Sequence, residues 1–198
     1  MSLEIAGGWL TLALTAVTIV GLVVVHVAPT GLNPLRDPVS QYHLTRYRPW
    51  IAVSTIAAGL AGIAAIIALA GLVGDRVVVP AVLLAIFAAA RLLIPFLRMD
   101  APGTPVTAVG RIHNVLAFLA FGAATAAAFV TGGALHDGGH PDAATWSTVF
   151  GVIAAIGSVG VLICVVTKRF ALFGLAERII YVGFLGFLLL IGVTGIAA

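Results

Sequence analysis

The stretch Arg98-Met-Asp100-Ala-Pro-Gly, followed at once by Gly110-Arg111-Ile-His113-Asn, sets a carboxylate, two arginines and a histidine in one short segment. An imidazole beside a carboxylate can exchange protons near neutral pH, and a guanidinium can hold a carboxylate or a phosphate. Other segments carry the same chemistry. Asp37, Ser40 and Tyr42 follow one apolar run, Arg91 sits inside another, and Glu177-Arg178 precede the last. If these segments meet at one end of the molecule, two chemistries are open. Arg91 and Arg178 would supply the charge that binds an anion such as a lipid headgroup, Asp37 and Asp100 would orient them, and His113, Ser40 and Tyr42 would give hydrogen bonds, with Arg111 and Glu177 on the same membrane face. Alternatively, His113 and Asp100 would act as an acid–base pair on a lipid ester or phosphate. A proton or anion relay through Arg91 and His113, as in a small transporter, is a third use of the same groups.

Arg111 and His113 lie two apart, so on a helix they point roughly 200° from one another. His113 continues into Ala117, Ala120, Ala124 and Ala127, whereas Arg111 continues toward Phe118, Gly122, Thr125 and Phe129. Small residues let helices approach closely. His113 is therefore expected inside, either as a neutral imidazole bonded to a neighbouring helix or as a ligand or proton-transfer group. Arg111 is expected at the edge, where its stem can snorkel. Arg91 lies about 10 Å below Arg98 at 1.5 Å per residue. An arginine at such depth costs at least about 2–3 kcal/mol unless paired or hydrated. Pro95 frees backbone one turn away, which favours an inward Arg91 over a snorkelling one. Asp37 reads as a helix cap before Pro38, and Asp100 as a turn carboxylate.

His26, His113, Asp37 and Asp100 make a mixed nitrogen–oxygen set that could in principle ligate a metal, but no pair has the spacing of a continuous-helix motif. Haem held by His26 and His113 would need both rings at one depth. His136 and His140 are separated by two glycines and read as a solvated loop. No cofactor is expected.

The elements that must position these groups follow from composition. Of 198 residues, 62% are hydrophobic and 9% charged. Soluble domains are about 25% charged, so lipid rather than water surrounds most of the chain. Six apolar runs, about 6–27, 50–73, 77–97, 105–131, 145–166 and 179–198, are each near the length that crosses a bilayer. The expected fold is all-α, a single polytopic domain of six transmembrane helices in an up-down bundle. Only Glu4 is charged ahead of the first run, so it lacks the basic start of a signal peptide. Thr11, Thr15, Thr18 and His26 form a polar stripe on it. Val39–Tyr47 is expected as a short interfacial helix, Thr104-Pro105 as the start of the fourth helix, and Asp142 as the cap of the fifth. Gly132–Asp142 is expected as a loop.

The net charge of +3 is spread singly along membrane edges, which excludes a nucleic-acid binder and fits attraction to anionic lipid. The first, third and fifth loops hold Arg36, Arg46, Arg48, Arg98, Arg111, Lys168, Arg169 and Arg178, and the opposite side holds Arg76. The positive-inside rule then puts these loops in the cytoplasm and both termini outside the plasma membrane. Membrane lipids are the expected partners, and a homo-oligomer is compatible with the sequence. Cys164 is the single cysteine, so there is no disulfide framework.

Asp37-Pro-Val-Ser-Gln-Tyr after the first run, Asp100-Ala-Pro-Gly before the fourth, Gly110-Arg-Ile-His113-Asn at its start and Glu177-Arg178 before the sixth are weak motifs singly. In this order they resemble an uncharacterised prokaryotic family of six-helix membrane proteins, a domain of unknown function. The layout is also distantly similar to eukaryotic six-helix families linked to lipid and membrane homeostasis. That resemblance implies a lipid connection.

Overall fold

The computed structural model describes residues 2–198, and among them there is no strand. Six long helices carry the chain: α1 (Leu3–Val27), α2 (Arg48–Val73), α3 (Val78–Leu93), α4 (Ala108–Asp137), α5 (Pro141–Thr167) and α6 (Phe173–Ala197). Five stretches are long and apolar enough to cross a membrane, and one of them, Arg48–Phe96, contains both α2 and α3. The chain is thus a multi-pass membrane protein. Large apolar side chains such as Val20, Val82, Phe118 and Ile156 face outward. That would be costly in water and is favourable against lipid tails.

Small residues set the helix spacing. A Cβ on Gly183 would sit 2.6 Å from the Ala154 amide nitrogen, and one on Gly157 would sit 2.6 Å from the Ala176 carbonyl, so α5 and α6 touch backbone to backbone. Gly8 and Gly195 bring α1 against α6 in the same way, and Gly59 and Gly62 seat α2 on α3. Without a hydrophobic force between helices in lipid, such dispersion contacts do much of the holding. The threonine stripe of α1 is buried as expected. Thr11 and Thr18 return their hydroxyls to carbonyls one turn back, and Ser54 of α2 donates across to the Thr18 carbonyl at 2.8 Å.

Several boundaries differ from the sequence expectation. The helix in the first loop is a 3₁₀ turn, Val39–Leu44, shorter than expected. Pro38 stands at its N-cap with no side-chain cap bond, so Asp37 is not the cap. Helix α4 starts at Ala108 rather than Pro105, because Thr107 caps it by accepting from the Gly110 amide. It then runs to Asp137, through Gly132 and Gly133, which the sequence placed in a loop. Gly132 serves close approach instead: a Cβ there would meet the Thr148 hydroxyl at 2.8 Å. His140, not Asp142, precedes α5. Pro95 shortens α3 and leaves a 3₁₀ turn over Ile94–Phe96, as a proline without an amide proton should.

Candidate functional site

The basic loops gather at one end of the molecule. The amides of Gly174 and Leu175 at the start of α6 donate to the carbonyls of Arg36 and Leu35 in the first loop, and Arg48 reaches the Pro95 carbonyl. The first loop is thereby folded over the helix ends as a cover. Glu177 holds it from below. It is 5% exposed, and its Oε2 accepts from the Val39 amide at 2.7 Å, satisfying a donor that the first turn of the 3₁₀ helix leaves open. The next residue, Arg178, holds the cover from the side. Its guanidinium donates to the Asp37 and Gly174 carbonyls and, at 2.9 Å, to His26 Nε2. Tyr42 is buried against the His26 ring, and its hydroxyl lies 3.5 Å from Arg178.

This arrangement fixes His26. Its Nδ1 faces the Leu22 carbonyl at 2.7 Å, and a carbonyl only accepts, so Nδ1 carries the proton. Nε2 then has a lone pair for Arg178. Both nitrogens are used inside the protein, which leaves none for haem or a metal. Among the described residues no group of three or more His, Cys, Asp or Glu is placed to hold a metal ion.

Under the cover lies a small polar cavity of about 20 Å³. Ser40 and His43 come from the cover, Thr55 from α2, Arg91 from α3, His113 from α4, and Glu177 with Tyr181 from α6. Arg91 is 3% exposed and points inward, as its place near Pro95 led us to expect. Its Nη1 donates to the Tyr181 hydroxyl at 3.1 Å, and its guanidinium carbon lies 5.3 Å from the Tyr181 ring centre and 5.6 Å from that of Phe184. Its Nε and Nη2 are buried and have no partner. No carboxylate approaches Arg91 within 4.0 Å; the ion pairs among the described residues are Arg36–Asp37 and His136–Asp137.

His113 is 2% exposed, and its Nδ1 bonds the Leu97 carbonyl at 2.7 Å. By the same reasoning Nδ1 is the protonated nitrogen, and Nε2 is left without a protein partner. Arg111 is exposed, as expected, and does not line the cavity. Asp100 makes no hydrogen bond to His113. Its carboxylate accepts from the Thr107 amide at 2.9 Å and the Thr107 hydroxyl at 2.7 Å, and these bonds hold it below the usual carboxylate range. It therefore organises the start of α4, with Gly110 against it where any Cβ would collide. Asp37 closes a turn by accepting from the Asn33 amide and pairs with Arg36 at 2.9 Å, which lowers its pKa.

Of the predicted site residues, Ser40, Arg91, His113 and Glu177 thus converge on the cavity. Tyr42, Arg178 and Asp37 fasten its cover, and Asp100 and Arg111 stand apart. Sequence reasoning missed His43 and Tyr181. Tyr181 carried a signal, since it follows Glu177 by one helical turn and shares its face. His43 carried none beyond its place after Tyr42.

His43 is buried, and its ring has no hydrogen-bond partner among the described residues. Burial, together with the charges of His113, Arg91 and Arg48, pushes it down to about 4 from 6.5. It is neutral at pH 7. In the unfolded chain it takes up a proton at a higher pH than in the fold. Its contribution is therefore fully present above about 6.5 and is lost as pH falls toward about 4. That difference amounts to roughly 3 kcal/mol at 1.36 kcal/mol per unit. Protection factors of the Val39–Leu44 amides, which correct for the slowing of intrinsic exchange in acid, should fall as pH drops from 6.5 to 4 in the wild type, and much less steeply in His43→Asn.

A second, larger groove of about 300 Å³ lies between α1 and α6. Its lining is apolar, from Leu22, Val23, Val27 and Leu185 among others, and His26 borders it.

A family model described as "Protein of unknown function (DUF998)" matches residues 11–194, nearly the whole chain. No curated protein and no solved structure matches the chain.

Proposed function

We propose that this chain, which belongs to the DUF998 family of proteins of unknown function, is a six-span membrane protein that binds a small inorganic anion in the Arg91 cavity. One observation carries the reading: Arg91, 3% exposed, lines the cavity and has two buried nitrogens without a partner among the described residues. Each buried donor left unmade costs about 1–3 kcal/mol. Glu177 is the one carboxylate that lines the cavity, and its Oε2 is spent on the Val39 amide rather than on Arg91. A void of about 20 Å³ holds one water-sized occupant. That size suits a halide and is too small for a phosphate headgroup while the cover is shut. In this reading the basic loops face the cytoplasm, both termini lie outside the plasma membrane, and bilayer lipid surrounds the exposed helix faces.

A ligand that binds only the folded state stabilises it by mass action. Chloride or bromide should therefore raise the melting temperature of the purified protein in detergent, saturably, relative to gluconate at equal ionic strength. Equal melting curves in all three salts would remove the reading.

The α1–α6 groove favours a second reading, an anionic lipid. Its tail would lie in the groove and its phosphate near Arg36 and Arg178, since His26 joins the groove to Arg178. Stabilisation by phosphatidylglycerol over phosphatidylcholine, with no response to halide, would favour this reading over the first. The hydrolase reading has less support, because Asp100 and His113 share no hydrogen bond.

A further inference from the structure

We infer that the Arg91 cavity takes its anion together with a proton, and that His113 Nε2 carries that proton. This rests on the anion reading above and names what accompanies the anion. The titratable and charged groups around the cavity are His43 from the cover, Arg91 from α3, His113 from α4, and Glu177 and Tyr181 from α6; α2 contributes the neutral Thr55.

The argument is one of donors and acceptors. An anion needs donors on every side that it touches. Arg91 has Nε and Nη2 without a partner, and Ser40 has a hydroxyl, whereas the Thr55 hydroxyl is spent on the Ile51 carbonyl at 2.7 Å. His43 has no partner among the described residues, so its neutral ring already has an N–H to present. His113 is different. Its one N–H is committed to the Leu97 carbonyl at 2.7 Å. In the neutral ring Nε2 therefore shows a lone pair to the cavity, and a lone pair repels an anion. Protonation turns that same atom into a donor without moving the ring. His113 is among the side chains that line this cavity of about 20 Å³. Water fits the neutral state, since it can accept from Arg91 and donate to Nε2. The anion fits the protonated state.

The exchange balances. A hydronium ion gives its proton to Nε2, an N–H bond forms, a water is released, and the halide replaces the resident water. The net charge of the cavity is unchanged, which matters where charge is expensive to add. Linkage then requires the two ligands to favour one another equally. A site that binds proton and halide only as a pair is what a proton-coupled anion carrier needs at its centre.

The test is halide titration of purified protein in weakly buffered detergent solution, with proton uptake read from a pH indicator and bromide as the probe. Uptake approaching one proton per bromide is expected at neutral pH. Apparent affinity should fall about tenfold per pH unit across the range where the imidazole loses its proton. His113→Gln puts an amide donor near the place of Nε2 without titrating, so it should bind bromide with no uptake and no pH dependence. Bromide binding by the wild type without uptake overturns the coupling and leaves the anion reading standing. Uptake that survives in His113→Gln overturns the assignment to His113. No bromide binding at any pH overturns the anion reading itself.

Discussion

Arg91→Met is expected to leave the protein about as stable as the wild type in halide-free solution and to abolish its stabilisation by halide. The two halves of that result come from different terms. Removing the arginine loses its bond to Tyr181 and its contacts with the Tyr181 and Phe184 rings. These are together about 3 kcal/mol, taking about 2 for a desolvated cation over aromatic rings and about 1 for the hydrogen bond. It also removes two buried donors that have no partner, at about 1–3 kcal/mol each. The sum runs from a loss of about 1 kcal/mol to a gain of about 3 kcal/mol. Methionine fills similar space, and Glu177 keeps Arg178 as its counter-charge. Thermal melting in detergent, with and without bromide, checks both halves. A loss of 3–5 kcal/mol without halide would mean that Arg91 is half of a structural ion pair, because that is the cost of removing one member of a buried pair.

Glu177→Leu should have the opposite character and a larger cost. The carboxylate accepts the Val39 amide at 2.7 Å and is the one buried acid between Arg91 and Arg178. Its loss leaves a buried N–H unmade and takes away the one acid that lines the cavity with Arg91. We expect destabilisation of about 3–5 kcal/mol and a detached cover, seen as rapid proteolysis after Arg36 and Arg46. Glu177→Gln keeps an acceptor for Val39 and should fall between. The two sites share a cavity, so their effects should not add. In an Arg91→Met background Glu177→Leu should cost less, because the cation that lines the cavity with it has gone. Full additivity would mean that the charges do not sense one another.

The contrast between these variants reflects how the end of the molecule is built. The first loop is a cover pinned by two consecutive residues of α6. Glu177 takes its backbone from below, and Arg178 takes the Asp37 carbonyl and His26 from the side. Asp37 and Asp100 each shape the backbone of their own loop, through Asn33 and Thr107. Both carboxylates are thus spent on turns, and neither pairs with Arg91.

Some of this was legible in the sequence. The inward course of Arg91 followed from Pro95 and depth, and the opposite courses of Arg111 and His113 followed from their spacing and from the alanine stripe below His113. The helical character of the chain followed from its apolar runs. Two kinds of feature were not legible. Local hydrogen bonds decided between equivalent capping choices, so Thr107 displaced Thr104 and Pro38 displaced Asp37. Long-range pairing was hidden altogether. The bond between Val39 and Glu177 joins opposite ends of the chain, and no periodicity encodes it. His43 and Tyr181 entered the site through that closure. The glycines at 132 and 133 misled for a related reason: they read as a turn, but in a membrane bundle Gly132 marks where α5 comes close.

The account's central claim is that the cavity beside Arg91 is built for an anion. Anomalous diffraction from crystals grown in bromide tests it most directly. The account predicts a bromide peak between Arg91 and His113, under Ser40, at the place enclosed by α2, α3, α4 and α6. Ordered water at that place, with bromide found only on the exposed surface, would contradict it.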